Sequence, residues 1–105
     1  MSTLKLSKPA QIDGEEKTEI QYDFDELKGN SVENAIKELQ KKGYVPAVQE
    51  VDTLLYANLF AQAANLDYED IKRLNAKDFM KTASVTRDFF LAGSADFQDQ
   101  NTLEQ

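Results

Sequence analysis

The first 24 residues alternate. Apolar side chains fall on even positions, at Leu4, Leu6, Ala10 and Ile12 and again at Ile20, Tyr22 and Phe24, with mostly polar residues between them. A period of two marks a strand with one buried face, and Asp13-Gly14 between the two runs is a tight-turn signal, so the pattern predicts a β-hairpin. Parity constrains it further. A two-residue Asp-Gly loop sets Ile12 opposite Glu15 and pairs even with odd positions, which puts the apolar rows on opposite faces. Two devices bring them to one face: a three-residue loop Asp13-Gly14-Glu15, pairing Leu6 with Tyr22 and Leu4 with Phe24, or a bulge near Pro9. A lone hairpin is barely stable in water, so its apolar face needs a cover.

Beyond the polar link that closes at Gly29, the period becomes helical. Asn30 is placed to cap a helix with Glu33 at its third position; Val32, Ala35, Ile36 and Leu39 mark one face and Gly43 ends it. Tyr44-Val45-Pro46 reads as a break. From about Glu50 to Ala64 the apolar residues spread round most of the helix, the pattern of a central element buried on more than one side. Between Leu66 and Phe79 one helix-start signal is written twice, eight residues apart: Leu66-Asp67-Tyr68-Glu69-Asp70-Ile71 and Leu74-Asn75-Ala76-Lys77-Asp78-Phe79. In each, an Asx residue is placed to cap free N–H groups, an Asp three residues on complements the helix dipole, and the flanking apolar pair forms a staple. A short helix near 68–73 and a last one from about Ala76 to Leu91 follow, with Phe79, Ala83, Thr86 and Phe90 on one face and Gly93 as the stop. Residues 94–105 are polar and are expected to be a mobile tail. The fold expected is α+β, a single small domain over 1–93 in which an N-terminal β-hairpin packs on three to four α-helices.

Composition narrows the function. The chain has 105 residues, room for one modest core, and a net charge of −7 from 19 acidic and 12 basic side chains. That charge repels phosphate backbones and anionic lipid, and no basic run exceeds two residues, as at Lys41-Lys42, so neither nucleic acid nor a membrane surface is an expected partner. Without cysteine there is no disulfide or thiolate chemistry, and without histidine the commonest general base and zinc ligand are both missing. Residues 1–12 lack the apolar core of a signal peptide and no run approaches a membrane span, so the expected compartment is the cytoplasm.

No motif carries catalysis. Seven carboxylates and one lysine lie between Asp13 and Glu26, but most of them fall opposite the apolar row, as a solvated hairpin face requires, and their spacing is not that of a calcium loop. Asp67, Glu69, Asp70 and Asp78 are accounted for by capping. No phosphate loop, nucleophile elbow or dinucleotide fingerprint is present. The expectation is a non-enzyme with no cofactor and no metal. The aromatic residues are the better lead. Phe89 and Phe90 are adjacent, about 100° apart on a helix, so both cannot point to one small core. Tyr56 and Phe60 are four apart on a helix whose apolar face already holds Leu55 and Leu59. Leu55, Tyr56, Phe60, Phe89 and Phe90 are the candidate partner-binding residues.

Four stretches carry a family resemblance: Leu4-Lys5-Leu6-Ser7-Lys8-Pro9 leading through Ile12-Asp13-Gly14 to Ile20-Gln21-Tyr22-Asp23-Phe24-Asp25-Glu26-Leu27-Lys28-Gly29; Ala61-Gln62-Ala63-Ala64; Tyr68-Glu69-Asp70-Ile71-Lys72-Arg73-Leu74; and Lys77-Asp78-Phe79 with Phe89-Phe90-Leu91. In this order and spacing, over about residues 3–92, the chain resembles the small tail assembly chaperones of long-tailed bacteriophages and prophages. The resemblance implies a protein that binds the tape measure protein, keeps its apolar helices soluble until tail tube subunits polymerise around it, works in the host bacterial cytoplasm and is not retained in the virion. The tail tube protein is a further expected partner, and the resemblance implies a short form of a protein also made with a frameshifted C-terminal extension; self-association is expected because a chain this small is only marginally stable alone. The competing expectation is a structural tail component that stays in the particle.

Overall fold

The computed structural model describes residues 2–43 and 49–104. Strands β1 (Ser2–Ile12) and β2 (Glu15–Tyr22) form an antiparallel hairpin, a single 3-10 turn spans Phe24–Glu26, and four helices follow: α1 (Gly29–Lys41), α2 (Gln49–Ala63), α3 (Tyr68–Lys72) and α4 (Ala76–Glu104). This is the α+β architecture expected from the sequence. The expected break at Tyr44-Val45-Pro46 lies outside the described residues.

The hairpin uses the bulge and not the longer loop. Ile12 pairs with Glu15 across a two-residue turn whose central residues both have positive φ, 54° at Asp13 and 82° at Gly14, as a type I′ turn demands. Beyond the turn Ala10 pairs with Lys17, but after the irregularity Lys5 pairs with Glu19 and Leu4 with Ile20. Leu6, Ser7, Lys8 and Pro9 thus stand against Thr18 alone. The three-residue shift is odd, so it restores even-with-even pairing and brings Leu4, Ile12 and Ile20 to one buried face. The pairs Leu6–Tyr22 and Leu4–Phe24 of the longer-loop alternative do not form; Ser2 lies opposite Tyr22.

Helix α2 is the central element, in contact with α1, α3, α4 and the 3-10 turn. Ala57, Leu59, Phe60 and Ala61 are all buried, which is why its apolar residues occupy so much of its circumference. Phe60, Ala57 and Ala61 meet Leu4, Ile12 and Ile20 of the hairpin, Tyr68, Ile71 and Leu74 around α3, and Ala83 of α4 in one cluster. Each large side chain so buried contributes about 1.5–3 kcal/mol. Helix α2 closes in a Schellman turn: Asn65 adopts φ 57°, its N–H donates to Gln62 O at 3.1 Å, and the Leu66 N–H donates to Ala61 O at 2.8 Å. Asp23 then ties the hairpin to this end, its N–H donating to Ala63 O at 3.0 Å.

Both copies of the helix-start signal form. The Asp67 carboxylate accepts from the Glu69 N–H at 3.2 Å and the Asn75 side-chain oxygen from the Asp78 N–H at 2.8 Å. The staple residues Leu66, Ile71, Leu74 and Phe79 all pack on the core cluster. Two helix ends differ from expectation. Helix α1 starts one residue before Asn30, at Gly29, with the Ser31 hydroxyl accepting from the Lys28 N–H at 3.1 Å; Asn30 and Ser31 are neighbouring polar residues, and the second closes the turn. Helix α4 continues through Gly93 to Glu104, because a glycine without a following proline costs a helix only about 1 kcal/mol.

Candidate partner-binding surface

Helix α4 turns its residues to three sides. Thr82, Ala83 and Thr86 are buried against the body of the fold. The hydroxyls of Thr82 and Thr86 donate back along the helix to Phe79 O and Thr82 O, so they reach the interior already satisfied. Met80, Ser84, Arg87 and Leu91 follow one another at i, i+4, i+7 and i+11, which is one line along the helix. Met80 and Leu91 are each 54% exposed. Between this line and Thr53 and Tyr56 of α2 runs a groove of about 480 Å³, with Ala83 also in its wall. Arg87 lies in that wall and has no ion-pair or hydrogen-bond partner among the described residues.

On the third side Phe89, 39% exposed, meets Phe24 with ring centroids 4.8 Å apart. Phe90 meets Phe89 edge-on at 5.2 Å and stacks on Tyr56 at 6.2 Å. A second, smaller groove of about 350 Å³ lies here, walled by Phe24, Leu27, Val32, Phe89 and Phe90. Aromatic contacts therefore run without a gap from Phe24 to Tyr56 and join the two grooves.

The candidate residues separate on this geometry. Tyr56, Phe89 and Phe90 are brought together at the grooves, and Leu55 is half-buried on α2. Phe60 is fully buried, in contact with Tyr22 and Phe24, and is a core residue and not part of a surface. The reason is that α2 is enclosed on several sides, so a second apolar face there serves the same core. Met80 and Arg87 were not among the candidates, although the spacing that puts Met80, Arg87 and Leu91 on one line is readable in the sequence.

The titratable groups away from the grooves hold the fold. Asp78 is buried at 1% exposure; both its oxygens accept from the Ser7 N–H at 3.0 Å and one also accepts from the Ser7 hydroxyl at 3.1 Å. Burial pushes its pKa up, but the N–H groups of Ser7 and Lys8, the Ser7 hydroxyl and the Lys81 charge outweigh it and hold the group below the ordinary value. Asp70 pairs with Arg73. Lys42 bonds Glu69 at 2.9 Å and lies 5.1 Å from the centre of the Tyr68 ring, joining the end of α1 to α3. That bond raises the Lys42 pKa and lowers that of Glu69. Among the described residues no group of three or more acidic side chains is placed to hold a metal ion, and no helix is long and apolar enough to cross a membrane.

No family model, no curated protein and no solved structure matches this chain.

Proposed function

We propose that this protein is a non-enzymatic assembly chaperone for phage tails, acting in the host bacterial cytoplasm on the tape measure protein and leaving no copy in the finished virion. The observation that carries the reading is the exposed apolar surface of α4: Met80 and Leu91 are held in solvent beside Tyr56, and Phe89 is part-exposed on the adjoining side against Phe24, on a domain whose net charge is −7. A chain that must hold apolar helices in water needs both parts, an apolar groove for the helix and a charged exterior for the complex. Each groove offers apolar wall to such a helix, and the Tyr56–Phe90 ring contact links the two walls. Modest affinity per copy, multiplied along a long cargo, fits a chaperone that must later let go. The family resemblance over residues 3–92 supplies the identity of the cargo.

The test is co-expression with the long helical protein encoded downstream, followed by size exclusion with light scattering. The reading expects that protein to become soluble in a complex with many copies of this chain. Continued aggregation, with this chain eluting by itself, would sink it. Recovery of this chain from purified particles in fixed copy number would replace it by a structural tail component.

A further inference from the structure

Among the described residues that line the α2–α4 groove, Arg87 is the one that carries a charge. In a chain with 19 carboxylates it lies in the wall of an apolar groove, between Ser84 and the exposed Leu91, with no ion-pair or hydrogen-bond partner among the described residues. Lys17, Lys37, Lys42, Lys72 and Arg73 each have a carboxylate partner and Lys81 bonds Lys5 O at 2.8 Å; Lys5, Lys8, Lys28, Lys41 and Lys77 share with Arg87 the lack of a side-chain partner among the described residues, but none of them lines this groove. A guanidinium without a partner among the described residues, beside Tyr56, Met80, Ala83 and Leu91, places a cationic group in the groove wall of an otherwise acidic chain. At 0.15 M salt charges are screened beyond about 8 Å, so a ligand in the groove responds to Arg87 more than to distant carboxylates.

We infer that the α2–α4 groove selects an amphipathic helix that presents a carboxylate to Arg87 from within its apolar stripe. This rests on the chaperone reading and specifies the chemistry of its cargo: apolar residues at i and i+4 or i+7 to meet Met80, Tyr56 and Leu91, with a Glu or Asp beside them. A planar guanidinium takes a carboxylate through two parallel hydrogen bonds, which fixes the register of the bound helix as well as adding affinity. A second copy of α4 is the poorer occupant. An antiparallel pair that sets Met80 against the partner copy's Leu91 brings the two Arg87 side chains within about one helical turn of each other, like charge against like.

The experiment uses the full chain and two labelled synthetic helices with the same leucine stripe, differing only in one flanking Glu or Lys, followed by fluorescence anisotropy at low and moderate salt. The Glu helix should bind about fivefold tighter than the Lys helix, the scale of one solvent-edge ion pair, and the preference should shrink with salt. Arg87→Glu should reverse the preference, and Arg87→Lys should keep its sign. Met80→Ser with Leu91→Ser should weaken both helices alike, with circular dichroism confirming that each variant is folded. Equal binding of the two helices, or a preference unchanged in Arg87→Glu, overturns the inference, and so does binding of neither. Dimerisation of the free chain that Arg87→Glu strengthens would overturn it in favour of a second copy. If the downstream protein is solubilised equally by the native chain and Arg87→Glu, the inference fails while the chaperone reading stands; if neither solubilises it, the reading itself fails.

Discussion

Asp78 holds Ser7 across 71 positions of sequence, accepting its backbone N–H with both carboxylate oxygens. The bond is possible because the bulge between Lys5 and Ala10 leaves Ser7 without a partner on β2, so its N–H is free to leave the hairpin. The Asn75 side chain donates to the Ser7 hydroxyl at 3.2 Å and also caps α4 at the Asp78 N–H. The irregularity in the sheet and the start of the last helix are thus one joint.

Asp78→Ala should destabilise the fold by about 1.5–3 kcal/mol, because it removes the charge-assisted hydrogen bonds that its carboxylate accepts from Ser7. Asn75→Ala should cost about 1 kcal/mol, the usual size of a lost cap. Urea unfolding would show both as lower midpoints with unchanged slope.

The same carboxylate gives the fold an acid limit. Its folded-state pKa lies below the ordinary 3.8, so its contribution is complete above about pH 4 and is lost as the pH falls through the folded value. The native chain should therefore lose stability more steeply as the pH falls below about 4 than Asp78→Asn, which has no proton to gain there. Parallel acid titrations of the two by circular dichroism measure the difference.

Phe60 and Phe89 should respond differently to truncation. Phe60→Ala opens a cavity in the centre of the cluster and should cost about 3–5 kcal/mol, a large share of the stability of a chain this size. Phe89→Ala removes a half-exposed ring contact with Phe24 and should cost about 1 kcal/mol. Thermal unfolding of both variants ranks them directly; equal losses would mean that Phe89 is core as well.

Two glycines should answer the same substitution with opposite sign. A Cβ at either Gly14 or Gly29 meets nothing within 4 Å, but Gly14 has φ +82° while Gly29 opens α1 with φ outside the left-handed range. Gly14→Ala should cost about 1–2 kcal/mol through backbone strain alone. Gly29→Ala should stabilise by about 0.5 kcal/mol through helix propensity and a less flexible unfolded chain. Denaturant midpoints are the readout.

What could be read from the sequence was whatever a few neighbouring residues decide. Asp67 and Asn75 cap helices because the N–H groups they satisfy lie two or three positions on, so spacing alone revealed them. The parity of Leu4, Ile12 and Ile20 demanded a correction to the hairpin but two devices satisfied it equally, and only the joint with α4 favours the bulge. Asp78 looked like a helix-dipole residue because its second partner is in β1. Phe60 looked like a surface candidate because an all-round apolar helix does not show which of its sides meets which neighbour. Spacing shows Arg87 on one line with Met80 and Leu91, but that it meets Thr53 and Tyr56 of α2 across a groove is a property of space.

The joint between Ser7 and Asp78 also sets an order of events during synthesis. The hairpin leaves the ribosome first, yet the acceptor for its bulge is made 71 residues later and the lysine that binds Lys5 O later still. The cover for Leu4, Ile12 and Ile20, which a two-stranded ribbon needs, comes mostly from Ala57, Phe60 and Ala61 of α2 and Tyr68 and Ile71 of α3, and these are made before α4. Closing a loop of this length is slow compared with forming the helices inside it. The apolar face of the hairpin thus has its cover before its bulge has an acceptor, and α4 supplies the last bonds that lock the two ends of the domain together.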